Sequence, residues 1–205
     1  MRIGWAVSGQ GMIARAVFEA SSAGLISSQI VLVVFDRSGP TAAMIDYCRD
    51  NSIDFRVIEP DRLERSLIAL RDEYRLDWLG LTFNRLLPPS VISAFDGQIF
   101  NLHFSLLPAF PGFGAIRKAL RSGLPYTGVT VHVIDAGVDT GLVIAQAKVD
   151  ILADDTEQSL GRRQFVAAVP LAIQTVRSVE HDSLGFDQVD EDIEKFSRTF
   201  CAGLK

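Results

Sequence analysis

Apolar runs alternate with segments of helical period from the start of the chain. Ile3 to Val7 is a short apolar run ending in Ser8-Gly9-Gln10-Gly11, and Met12 to Ala23 then reads as a helix closed by Gly24. Ile30 to Phe35 is apolar on both faces, the pattern of a strand buried inside a parallel sheet. Pro40 fits the first position of a helix that continues from Thr41 to Asn51. Phe55 to Ile58 predicts a third strand, and Pro60 opens a helix running to about Tyr74. Trp78 to Thr82 is a fourth strand, Pro88-Pro89 starts a short helix to about Phe95, and Gln98 to Leu102 is a fifth strand. This β-α-β-α rhythm predicts an α/β fold: a doubly wound, Rossmann-like, mostly parallel sheet covered on both faces.

After Leu102 the rhythm changes. Ser105 to Gly112 holds two prolines and a glycine with no clear period, which predicts a loop, and Gly114 to Ser122 looks helical. Thr127 to Val133 and Leu142 to Val149 are β-rich, and the connection between them is too short for a crossover helix. They are therefore expected to form an antiparallel strand pair near the C-terminal end. Asp154 or Asp155 is expected to cap a long helix from about Thr156 to Glu180. The reading is one domain over 1–181 with a C-terminal tail over 182–205. In that tail Phe196, Phe200 and Leu204 are spaced by four, so they fall on one helical stripe. The stripe could dock on the chain's own core or make a homo-oligomer through the tail.

Composition narrows the class. The 205 residues are 48% hydrophobic and 22% charged, ordinary for a folded protein that buries its own core. A net charge of -5 argues against a nucleic-acid partner. No apolar stretch reaches the ~20 residues that span a bilayer, and the N-terminus enters an apolar run without a cleavable site behind it. Two cysteines, Cys48 and Cys201, rule out a disulfide framework, and with three histidines they give no structural metal site. Together these features predict a cytoplasmic protein in a reducing compartment, with no membrane partner and no metal.

Three places offer chemistry. Ser8-Gly9-Gln10-Gly11 joins the first strand to the first helix; it is either an anion site at a helix N-terminus or a plain tight turn. A dinucleotide fingerprint would carry a third glycine at position 14, where this chain has Ala14, a permitted variant. Asn101-Leu102-His103 lies at the carboxyl end of the fifth strand, where open α/β sheets place their ligand crevice. Alternation puts Asn101 and His103 on the same side, with Leu102 turned into the packing. His is a usable acid or base near neutral pH, and Asn can donate to a developing oxyanion. Asp139, between Gly137 and Gly141, reads locally as a turn residue.

The run Asn101-Leu102-His103-Phe104-Ser105-Leu106-Leu107-Pro108, with Thr130-Val131-His132 and Gly137-Val138-Asp139-Thr140-Gly141, resembles the 10-formyltetrahydrofolate-dependent formyltransferases. The likeness covers residues 1 to about 160 and is most specific between 99 and 146. Leu107 to Gly112 and Thr127 to His132 are most similar to the phosphoribosylglycinamide formyltransferase branch. The resemblance implies the formyltransferase fold, with 10-formyltetrahydrofolate as formyl donor and a primary amine of a small phosphorylated molecule as acceptor, in purine biosynthesis. It implies that Asn101, His103 and Asp139 are catalytic, with His132 as a neighbour that buttresses the site or joins in. It further implies that Arg85, Leu86 and Leu87, with Asp135, Ala136, Gly137 and Val138, line the pterin pocket. Gly9, Gln10, Gly11 and Met12 would then face the acceptor.

On the acceptor side the chain departs from the glycinamide pattern. Met12-Ile13 stands where that branch has a Ser-Asn pair, Phe104 stands in place of proline, and Arg163 to Pro170 lacks an acidic residue followed by His. A nucleotide-linked amino-sugar N-formyltransferase is the alternative acceptor reading. A formyltetrahydrofolate hydrolase and a non-catalytic folate-binding module stand behind it.

Overall fold

A computed structural model describes residues 1–36 and 41–204. Strands β1 (Arg2–Val7), β2 (Gln29–Asp36), β3 (Asp54–Ile58), β4 (Trp78–Thr82), β5 (Ile99–His103), β6 (Tyr126–Val133) and β7 (Val143–Asp150) form a single sheet in the order β3-β2-β1-β4-β5-β6-β7. The first five are parallel to one another, while β6 runs antiparallel to both β5 and β7. The described helices are α1 (Met12–Ser22), α2 (Ala42–Asp50), α3 (Leu63–Tyr74), α4 (Pro89–Ala94), α5 (Ala115–Arg121), α6 (Glu157–Val179) and α7 (Glu191–Gly203).

Alternation along the strands builds two cores, one on each face. In β2, Val33 and Phe35 join a core with α1, α2, α6 and α7, while Leu32 and Val34 join a second core with α3 and α4. The chain winds from β1 outward to β3, then crosses back to β4 and β5. The switch point therefore falls between β1 and β4, whose carboxyl ends open the crevice. Ser8 ties this point together: its N–H donates to the Thr82 carbonyl (2.9 Å), its hydroxyl donates to Asp36 Oδ2 (2.6 Å), and the Asn84 N–H donates to Ser8 Oγ (2.9 Å).

Several predicted boundaries move. The helix expected from Pro60 starts as a 3-10 turn over Pro60–Arg62 and becomes α-helical at Leu63. The predicted helix start at Pro40 lies outside the described residues; α2 is capped by Thr41, whose side chain accepts from the Met44 N–H. The fifth strand extends to His103, which places that side chain in the ladder. The cap of α6 is Thr156 and not Asp154 or Asp155. Thr156 and Ser159 satisfy each other's backbone N–H in a capping box, whereas Asp155 pairs with Arg163 and accepts from the Leu152 N–H. In the tail, α7 packs on α6 and α1, and Phe200 and Ile193 are buried in the first core. Phe196 stacks on Phe200 with centroids 6.2 Å apart.

Trp5, fully buried on β1, anchors the centre of the sheet. Its ring lies edge-on to Phe100 at 5.5 Å, and it fits because β4 carries Gly80 beside it. A Cβ at Gly80 would lie 2.6 Å from the indole. Gly80→Ala is therefore expected to destabilise the fold by about 2 kcal/mol, read as a lower urea midpoint at unchanged slope.

Candidate active site

A cavity of about 1070 Å³ opens at the carboxyl ends of β1, β4 and β5, with lining from both sides of the sheet. Leu102 packs into the first core, so Asn101 and His103 point the other way. The antiparallel register of β5 and β6 sets His132 opposite Asn101 and Thr130 opposite His103. Asn101, His103 and Asp139 all border the cavity.

His103 is 8% exposed, and each of its ring nitrogens faces an acceptor. Nδ1 is 3.3 Å from Asp139 Oδ2, and Nε2 is 2.9 Å from the Phe110 carbonyl oxygen. A ring protonated on both nitrogens satisfies both partners. His132 is fully buried and donates from Nδ1 to the Val133 carbonyl (3.0 Å). Its Nε2 lies 3.3 Å from the Asn101 side-chain amide nitrogen, and that amide keeps an N–H for the cavity.

Asp139 sits at φ +55°, in the left-handed region, at the turn between β6 and β7. Its Oδ2 accepts from the Gly112 N–H (2.7 Å), and its Oδ1 lies 3.5 Å from His132 Nε2. The His132 ring beside it, the Gly112 N–H and the nearby His103 hold its carboxyl down at about 2, against the opposing cost of burial. The His132 contact is long and that nitrogen also faces Asn101, so the Gly112 bond is the firmer anchor.

The loop over 105–112 carries these contacts, and it is braced from three elements. Thr130 Oγ1 donates to the Ser105 carbonyl (2.7 Å) and accepts from the Leu107 N–H (3.0 Å). Gln146 on β7 donates to the Leu107 carbonyl (2.9 Å). Gln164 on α6 donates to the carbonyls of Phe104 (2.8 Å) and Gly128 (2.6 Å).

The other expected site residues divide. Arg85, Leu86, Leu87, Asp135, Ala136, Gly137 and Val138 all line the cavity. Asp135 Oδ1 accepts from the Gly137 N–H (3.0 Å) and the Thr140 hydroxyl (2.8 Å), so that loop is braced by its own side chains. Gln10, Gly11 and Met12 also line it, while Gly9 does not. The sequence reading missed Arg15, Arg162, Phe165 and Val166, and the tail residues Cys201, Gly203 and Leu204, which line the cavity too. It also missed the bracing glutamines. Gln164 had a signal, being a polar residue on the apolar stripe of Leu160 and Ala168. Among the described residues no group of three or more His, Cys, Asp or Glu could hold a metal ion. No helix there is long and apolar enough to cross a membrane.

The depressed carboxyl of Asp139 has a consequence for stability. Its ordinary value is 3.8 and its folded value about 2, so its contribution is fully present above pH 4 and is lost as pH falls through about 2. The stability difference between the native chain and Asp139→Asn, measured by urea unfolding, is expected to shrink by about 2 kcal/mol between pH 5 and pH 2.

Comparisons with known proteins identify the family. The chain is 32% identical to a chloroplastic phosphoribosylglycinamide formyltransferase of Arabidopsis thaliana over 84% of its length, spanning 63% of that relative. It thus covers less than two thirds of that relative's length. It is 32% identical to the phosphoribosylglycinamide formyltransferase of Mycobacterium tuberculosis over 84% of this chain and 81% of that one. Glycinamide ribonucleotide transformylase 1 from Symbiobacterium toebii superposes with a TM-score of 0.84 at 30% identity, over 92% of both chains. The formyl transferase family model matches residues 1–176, and this chain belongs to that family.

Proposed function

We propose that this chain moves a formyl group from 10-formyltetrahydrofolate to the primary amine of a small phosphorylated acceptor of the phosphoribosylglycinamide kind, as a step of purine biosynthesis. The observation that carries the reading is the Asn101, His103 and Asp139 cluster on a cavity of about 1070 Å³, in a chain of the formyl transferase family. The catalytic unit is 1–181, and the tail over 182–205 adds a helix at the cavity's edge. Both cysteines are free, in keeping with a cytoplasmic, reducing setting. The acceptor is a small molecule, in keeping with the net charge of -5. A homo-oligomer through the tail would have to use the side of α7 turned away from the core, because Ile193, Ser197 and Phe200 are already buried.

The roles follow from the geometry. The acceptor nitrogen attacks the formyl carbon, and the carbonyl oxygen becomes an oxyanion. The free amide N–H of Asn101 and the charged ring of His103 stabilise that oxygen, each donor contributing about 3 kcal/mol. Asp139 keeps His103 charged and relays the proton from the attacking amine towards the folate nitrogen, directly or through water. The C–N bond to folate then breaks, releasing tetrahydrofolate and the formylated amine. Arg85, Leu86 and Leu87 make no backbone hydrogen bonds among the described residues, so their backbone groups are free for the pterin. At the other end the N-terminus of α1 has no side-chain cap, which leaves the Met12 and Ile13 N–H groups to an acceptor phosphate.

Turnover of 10-formyltetrahydrofolate with phosphoribosylglycinamide, followed as formation of tetrahydrofolate, tests the reading. Asn101→Ala and His103→Ala are each expected to lower kcat by about 10²- to 10³-fold with little change in folate binding. Donor loss at the same rate without any amine would instead make the chain a hydrolase. Folate binding without turnover of any amine would make it a binding module.

A further inference from the structure

One acid close to the cavity has no part in the proposed chemistry. Asp36 is the last residue of β2. With Gly9, Gly11 and Ala14 it completes the outline of a dinucleotide fingerprint, in which such an acid receives a ribose diol. In this fold the acid is turned to other partners. Asp36 is 6% exposed and does not border the cavity. Its Oδ2 accepts from the Ser8 hydroxyl (2.6 Å) and lies 3.6 Å from Arg85 Nε. Ser8 Oγ in turn accepts from the Asn84 N–H (2.9 Å), so the acid, the hydroxyl and the start of the 84–87 stretch form one network.

Arg85 both pairs with this acid and borders the cavity. Its Nε is buried without a hydrogen-bond partner, and its guanidinium makes no hydrogen bond among the described residues. Charge attraction therefore holds the guanidinium without using up its N–H groups. The other cations on the cavity are held differently. Arg15 pairs with Glu19 and Arg117 with Glu157, acids whose side chains are 33% and 52% exposed, whereas the Asp36 side chain is 9% exposed. Arg162 is exposed and has no ion pair among the described residues. Solvated pairs are screened and fix little, while a buried carboxylate depends on the charge beside it. Among the described residues, Arg85 is thus the cavity-lining arginine anchored on a buried acid.

We infer that Asp36 is a positioning residue for the formyl donor: it holds the Arg85 guanidinium at the cavity, and so acts on donor binding and not on the chemical step. This rests on the formyl-transfer reading, which sets Arg85 beside the donor. The donor is a folate, whose carboxylates and pterin carbonyl are acceptors suited to guanidinium N–H groups. Asp36 itself touches no substrate. A neutral side chain in its place keeps the Ser8 hydrogen bond but leaves the guanidinium without the charge that holds it.

The test is the steady-state kinetics of the full chain with 10-formyltetrahydrofolate and phosphoribosylglycinamide. Asp36→Asn, which has the same shape and can still accept from Ser8, is expected to raise the donor KM about fivefold, with kcat and the acceptor KM within about twofold. Arg85→Gln is expected to raise the donor KM at least as much. In the Arg85→Gln chain, adding Asp36→Asn is expected to change the donor KM by less than about 1.5-fold, because the acid acts only through the arginine. A thermal melt checks that each variant is folded. Should Asp36→Asn not fold, Ser8→Ala frees the same carboxylate and is expected to raise the donor KM about twofold, again only while Arg85 is present. A donor KM that Asp36→Asn leaves unchanged, an effect that persists without Arg85, or a loss confined to kcat would each overturn the inference while formyl transfer stands. No formylation by the native chain would remove the formyl-transfer reading and this inference with it.

Discussion

The Asp139 carboxylate gathers contacts from parts of the chain far apart in sequence: the His103 ring at the end of β5, the Gly112 N–H in the loop that follows, and the His132 ring on β6. A buried carboxylate is costly unless such partners surround it, and here the partners outweigh the cost enough to hold it ionised down to about pH 2. Ionised, it fixes the His103 ring from one side while the Phe110 carbonyl fixes it from the other. Replace the carboxylate by a neutral group and His103 loses the partner that favours its charged form.

That arrangement depends on the switch from parallel to antiparallel pairing. A crossover helix after β5 would have carried the chain away from the strand ends. The antiparallel return of β6 instead lays His132 directly across from Asn101, close enough to hold the amide. The same return brings Thr130 beside the 105–112 loop, and its hydroxyl serves two backbone groups of that loop at once. The site is therefore stiffened by the sheet register on one side and by Gln146 and Gln164 on the other.

How far the sequence spoke for this structure depends on the kind of signal. Strands buried on both faces show as apolar runs, so the sheet and its helices were legible, as was the shared face of Asn101 and His103. Caps were less so. Asp154, Asp155 and Thr156 are all good capping residues, and only the reciprocal partner at Ser159 decides for Thr156. The Phe110 carbonyl and the Gly112 N–H were invisible, because every residue carries such groups and only the fold aims them. Asp139 read locally as a turn residue, and its pairing with His103 spans a loop, a helix and a strand.

The tail shows the same limit from another direction. Phe196, Phe200 and Leu204 share a stripe, and a stripe says that a helix has an apolar side without saying what that side meets. In the fold the stripe divides: Phe200 enters the core, and Leu204, one turn later, reaches the cavity. Because α7 is held by the core through Ile193 and Phe200, its last turn is a fixed wall and not a loose end. In the proposed reaction the proton chemistry is confined to β5, β6 and the Asp139 turn. The helical side of the cavity can therefore vary without disturbing the carboxylate that the proposed proton transfer uses.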